Sequence, residues 1–180
     1  MNGETVTAVL IPAQIEQQLE TREVAGFADI QQLADLVIPI DIESRGVTMW
    51  LDADDRRNGL PMNLRASSLR WFWDTTSRQR PALHGDVLLV GDIGSTYPVG
   101  DVPASLVQEL LHGGPYEVGY RRTASSGWRA QSDLHTTYAD AAFWAMYLRT
   151  HDPALHETRI RAVSPASHQL HALLGSSPRP

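Results

Sequence analysis

The residues that most resemble chemistry bracket a short apolar run, with His84-Gly85-Asp86 before it and Gly91-Asp92-Ile93-Gly94 after it. Gly-Asp pairs on tight turns can present carboxylates to two bridged metal ions about 3.5–4 Å apart, and a metal-dependent hydrolase of that kind would use His84, Asp86 and Asp92. The chain has neither the early Asp-x-His strand end nor the later Asn-His pair that would complete such a site. The glycines are therefore expected to bound a buried strand. Asp52, Asp54 and Asp55 offer alternate oxygen ligands for calcium, but a calcium loop starting at Asp52 places Arg57 where a glycine is required. That stretch is expected to be a solvated turn neutralised by Arg56 and Arg57. Among seven histidines, His135, His151 and His156-Glu157 flank one helix and could meet as a facial metal triad. The Pro153 turn between His151 and His156 removes helical i,i+4 geometry, and surface histidines are the expectation. There is no Gly-x-Ser-x-Gly elbow and no His-Glu-x-x-His. No catalytic residue, no metal ligand and no cofactor is assigned, and the expectation is a protein without enzyme activity.

Composition narrows the chemistry further. No cysteine occurs, which removes disulfides, thiol nucleophiles and thiolate metal sites. All fifteen basic residues are arginine, so neither a phosphate-loop lysine nor a Schiff-base lysine exists. The formal charge of -6 over 180 residues gives no general attraction for nucleic acid. At 42% hydrophobic and 20% charged residues, the chain has the balance of a folded globular protein. Its apolar runs are too short to span a bilayer, and the first residues show no basic and apolar leader. A cytoplasmic location is expected, the host cytoplasm if a phage encodes the protein.

What remains is surface. Arg56, Arg57, Arg65, Arg70, Arg78 and Arg80 in the first part, and Arg121, Arg122 and Arg129 in the second, are interleaved with Trp71, Trp73, Tyr120 and Trp128. Stacking combined with phosphate contact is how such residues hold single strands, which makes nucleic-acid binding the alternative reading. The most suggestive stretch is the helix from Tyr138. Tyr138, Ala141, Ala142, Ala145 and Leu148 form one face, and Phe143, Trp144 and Tyr147 lie off it. A helix apolar on most sides is either buried on both or presents aromatic rings to a partner.

The elements that position these groups follow from periodicity and punctuation. Thr5 to Ile11 is β-branched and stopped by Pro12, the mark of a strand. Gln14 to Val24 is open to strand, helix or loop. Phe27, Ile30, Leu33, Ala34 and Val37 fall on one helical stripe that ends before Pro39. Ile38 to Glu43 and Val47 to Leu51 read as a hairpin about Arg45-Gly46. Asn63 caps a helix from Leu64 to Asp74 that carries Leu69, Phe72 and Trp73 on one face. Val87 to Val90 reads as a central strand covered on both sides, and Pro103 to Leu111 as a short helix closed by 112–115. Then come strands at Tyr116 to Arg121 and Trp128 to Gln131, a helix from Tyr138 to Thr150 capped by Thr137 with Asp140 at its third position, and a strand from Glu157 to Val163. This predicts an α+β protein with a mixed sheet and packed helices over 1–112, a small ββαβ module over 116–164, and a flexible tail over 165–180 with a weak turn near Leu170 to Leu174.

Met49-Trp50-Leu51-Asp52, then Gly59 to Leu69 with its Leu-Pro-Met-Asn, then Leu83-His84-Gly85-Asp86-Val87-Leu88-Leu89-Val90-Gly91-Asp92, then Asp101-Val102-Pro103 together resemble the DUF3846 family. The resemblance covers about residues 5 to 105 and implies an α+β domain of phage or mobile-element origin, common in actinobacteria. It brings no catalytic residue. The expectation is an interaction protein that contacts a host or viral protein through Phe143, Trp144 and Tyr147, with a homodimer left open and no membrane partner.

Overall fold

The computed structural model describes residues 5–33, 36–92, 100–111 and 114–164. The chain divides into two units, Met1–Leu111 and His112–Pro180, each with its own sheet.

In the first unit, β1 (Val6–Ile11) ends at Pro12, which has no amide hydrogen to extend a ladder. Its hairpin partner is β2 (Glu20–Val24), which settles the open stretch in favour of a turn followed by a strand. A second hairpin joins β3 (Val37–Ile42) to β4 (Val47–Asp52) through a 3-10 turn over Glu43–Arg45. Gly46, with φ at 62°, closes that turn, and β5 (Val87–Gly91) lies between the hairpins in the order β2-β1-β5-β4-β3. Every described pairing is antiparallel. This corrects the mixed sheet expected from sequence. A strand-helix-strand order from β4 to β5 suggests a parallel crossover, but here β5 returns beside β4 in the opposite direction.

All five residues of β5 are buried. Leu88 and Val90 join Ala8, Leu10, Val24, Val37, Trp50 and Ile30 in one cluster, where Phe27 meets Trp50 edge-on with ring centroids 5.4 Å apart. Alternation along the strands sends Val9, Ile11, Met49, Val87 and Leu89, all fully buried, to the other face. Helices α2 (Leu64–Trp73) and α3 (Ala104–Leu111) contribute buried Ala66, Leu69, Trp73, Leu106 and Leu110.

The long helix expected after Gly26 is reduced to one α turn, α1 (Phe27–Ile30), and a 3-10 turn over Gln31–Leu33. Val37 belongs to β3, paired with Asp52, because the strand starts two residues before Pro39. Ala34 lies outside the described residues.

Braces around β5 fix α2. Asn63 is fully buried, and its Oδ1 accepts from Ala66 N at 2.9 Å as the helix cap. Its Nδ2 donates to Ile11 O at 2.8 Å and Gly85 O at 3.0 Å, so a single amide joins the start of α2 to the end of β1 and the start of β5. Gly85 N donates in turn to Pro61 O and Asn63 N to Leu83 O, both at 2.8 Å. At the other end of β5, Gly91 N donates to Gly100 O at 2.8 Å. A Cβ at Gly91 would collide with the Asp101 carbonyl, so only glycine admits this approach. Asp101 Oδ1 then accepts from Thr7 N at 2.6 Å.

The second unit contains β6 (Tyr116–Arg121), β7 (Arg129–His135), α4 (Tyr138–His151) and β8 (Glu157–Ala162), with sheet order β7-β6-β8 and antiparallel pairings. The return strand β7 runs four residues beyond Gln131, past an irregularity opposite Glu117 to Gly119. The expected tail over 165–180, with its turn near Leu170, lies outside the described residues.

Candidate interaction surface

Helix α4 starts where Thr137 Oγ1 accepts from Asp140 N at 3.1 Å and donates to Asp140 Oδ2 at 2.7 Å. Its inner face is Tyr138, Ala139, Ala141, Ala142 and Ala145, all buried. The alanines let the helix backbone approach the sheet, and Tyr138 meets Tyr116 edge-on at 5.7 Å. The opposite side carries the aromatic residues singled out in the sequence. Trp144 is 37% exposed and Tyr147 41%, with Phe143 half-buried beside them.

These rings form one continuous rib. Phe143 stacks on Tyr147 at 6.3 Å, Trp144 meets Tyr147 edge-on at 5.2 Å, and Tyr147 stacks on His151 at 3.9 Å. At the near end His135, the last residue of β7, stacks on Trp144 at 6.0 Å. Spacings of three and four residues place Trp144, Tyr147 and His151 on a single stripe. The surface position expected from sequence holds for His151 but not for His135, which is buried, and both belong to the rib. The i,i+4 pair Tyr147 and His151 was the signal that could have found one of them, whereas His135 is brought in only by the strand-to-helix turn. His151 Nδ1 also bonds Tyr147 O at 2.9 Å, which fixes its ring. His135 is buried, and its Nε2 has no partner among the described residues. Burial holds its proton affinity below the ordinary imidazole value, with Asp140 and Asp133 acting in the opposite direction.

The reactive-looking groups are placed apart. His84 Nδ1 bonds Leu60 O at 3.0 Å, and Asp86 Oδ1 accepts from Ala13 N at 2.9 Å, both at the start of β5. Asp92 follows the far end of β5, roughly 20 Å away along an extended strand of this length, so Asp86 and Asp92 cannot share a metal pair. Gly94 lies outside the described residues. Asp52 accepts from Asp54 N and Asn58 Nδ2, and Asp54 pairs with Arg57 at 3.3 Å, as a self-contained turn.

The arginines are largely committed to the fold. Arg65 donates to the carbonyls of Pro12, Gln14 and Gln17. Arg121 pairs with Glu157, and Arg122 with Asp152 at 3.1 Å. Arg70, whose proton affinity burial lowers, stands near Arg80, while Arg78 Nε donates to Trp71 O at 3.4 Å and Trp71 Nε1 to Arg80 O at 3.3 Å. This knot at the end of α2 gathers three of the named arginines. It also contains Asp74, held below the usual carboxylate range by the Thr76 hydroxyl. Arg56 is exposed in the turn after β4. A cleft of ≈ 450 Å³ beside the knot is lined by Asp41, Glu43, Ser44, Trp73, Asp74, Thr75 and Thr76. Asp41 accepts from Thr48 Oγ1 at 2.8 Å and Asp74 from Thr76, so two of its carboxylates already serve the fold.

Compared with known proteins, the chain matches no family model, no curated protein and no solved structure.

Proposed function

We propose that the protein acts by surface contact, as a non-enzymatic binding protein whose partner is another protein docking on the outer side of α4. The single observation that carries this reading is the exposed, mutually stacked rib of Trp144, Tyr147 and His151, with Phe143 alongside. Rings locked against one another lose little side-chain freedom on binding, and Trp and Tyr are where interface energy concentrates. An origin in phage or mobile elements, and a host or viral partner, rest on the resemblance of residues 5 to 105 alone.

The test is affinity capture from an actinobacterial lysate with the wild-type chain and the Trp144→Ala/Tyr147→Ala variant. One partner should be retained by the former and lost by the latter, while circular dichroism of the two stays alike. A wild-type chain that elutes as a dimer, and a variant that elutes as a monomer, would make the partner a second copy. Equal recovery by both proteins, or nothing specific from either, removes the reading.

A further inference from the structure

Sheet β7-β6-β8 is covered by α4 on the face that carries Tyr116 and Val118; no other described element of this unit lies on the opposite face. Register puts three cross-strand pairs of β6 and β8 there: Glu117 opposite Arg161, Gly119 opposite Arg159, and Arg121 opposite Glu157. The outer two are ion pairs, Arg161 to Glu117 at 3.0 Å and Arg121 to Glu157. Between them Arg159 faces a glycine and has no carboxylate partner among the described residues. Its guanidinium lies on Trp128, with Cζ 4.1 Å from the ring centroid, and Arg121 Cζ stands 4.9 Å from the same ring. Gly119 makes the room, since a Cβ there would fall 3.2 Å from Arg159 Nε and 3.5 Å from the Trp128 ring.

We propose that this face is a second binding site, in which Arg159, seated on Trp128 between the two ion pairs, takes a carboxylate from an acidic segment of a partner protein. The argument is charge complementarity. Glu117 and Glu157 neutralise Arg161 and Arg121, which leaves one positive charge at the centre of an otherwise balanced row. A guanidinium placed over an indole keeps its terminal donors for a planar carboxylate. Arg159 itself is half-buried with its Nε covered, so a carboxylate would meet its terminal amino groups, approached past the Arg161 and Glu157 side chains, which are 60% and 43% exposed. Nucleic acid fits less well. Trp128 already has guanidinium groups over its ring instead of a free face for a base, whereas a carboxylate needs no such face. The site lies on the opposite face of the sheet from α4 and stands or falls separately from the aromatic rib.

The experiment is a titration of the full-length chain, at low salt, with an acetylated and amidated hexapeptide Gly-Glu-Glu-Glu-Glu-Gly, its all-Gln counterpart and hexathymidylate. Calorimetry is combined with the Nε–Hε resonances of the arginines. The Glu peptide should bind, shift the Arg159 Nε–Hε signal most, and lose at least tenfold in affinity in Arg159→Gln; the Gln peptide should not bind. Arg159→Lys keeps the charge but not the stacked fork, and should fall between. If the Arg159→Gln chain does not fold, the wild-type Arg159 resonance decides. An unmoved Arg159 signal, equal binding by a folded Arg159→Gln, or tighter binding of hexathymidylate than of the Glu peptide would each overturn the proposal.

Discussion

At the scale of single residues, buried polar groups hold the first unit together, and Asn63 shows how far this goes. Its carboxamide oxygen caps α2 while its nitrogen donates to two carbonyls from different strands. Asn63→Asp keeps the capping acceptor, which an N-cap position normally accepts well, but turns both donors into acceptors facing Ile11 O and Gly85 O. Cap function alone would make Asp harmless. The buried clamp predicts the reverse: Asn63→Asp should destabilise by about 3 kcal/mol or more, since unpaired buried polar groups cost about 1–3 kcal/mol each and charged ones more, measured by urea denaturation. A loss under about 1 kcal/mol would mean that the clamp carries little weight. His135 makes a second case. Its buried imidazole is held below its ordinary proton affinity, so as pH falls past about 6.5 the unfolded chain takes up this proton before the folded one does. The contribution of His135 to stability is therefore full above that pH and declines below it. His135→Phe keeps a ring against Trp144 and should flatten the fall in unfolding midpoint between pH 7.5 and 5.5; parallel pH profiles for variant and wild type would contradict this.

At the scale of elements, the two caps, the β3-β4 hairpin, the buried central strand and α4 were legible because each rests on local chemistry: Asn63 and Thr137 as capping side chains, Gly46 in a turn, an unbroken apolar run in β5. Direction was not legible. A strand, helix, strand order does not by itself set the direction of the second strand, and only the register of β5 against β4 shows it running antiparallel. The stripe from Phe27 to Val37 failed because Val37 pairs with Asp52 in β3, a contact fifteen residues away that periodicity cannot see. The rib on α4 was half legible: its ring types and spacing were plain, but which side of an all-round apolar helix faces the sheet was not. The alanines decide that, and a prediction tests it. Tyr138→Ala, which removes a buried ring packed on Tyr116, should cost about 3–5 kcal/mol as other buried aromatic truncations do. Tyr147→Ala, one helix face away, should cost about 1 kcal/mol or less. Similar losses for the two would mean that the rib is core.

At the scale of the whole molecule, two compact units, each with its own sheet, imply two stabilities in one chain. In the first unit β5 is bonded on both edges and buried on both faces, so its amides should open only when the entire unit unfolds. The second unit has a three-stranded sheet with one helix and roughly fifty described residues, a size at which the fraction of surface that can be buried is small. Unfolding should therefore proceed in two steps, with the second unit first. Hydrogen exchange followed by mass spectrometry in rising urea reads this directly. Peptides spanning 138–151 should reach their denaturant-sensitive opening at lower urea than peptides spanning 87–91. The binding surfaces proposed on α4 and around Arg159 would then sit on the less stable half of the chain, where an occupant that binds only the folded form raises its stability through mass action. Adding the Glu hexapeptide at saturating concentration should slow exchange in 116–121 and 157–162 and leave 87–91 unchanged. Exchange of both units at one common opening free energy, whatever the urea, would instead make the chain a single cooperative body and remove the division on which this rests.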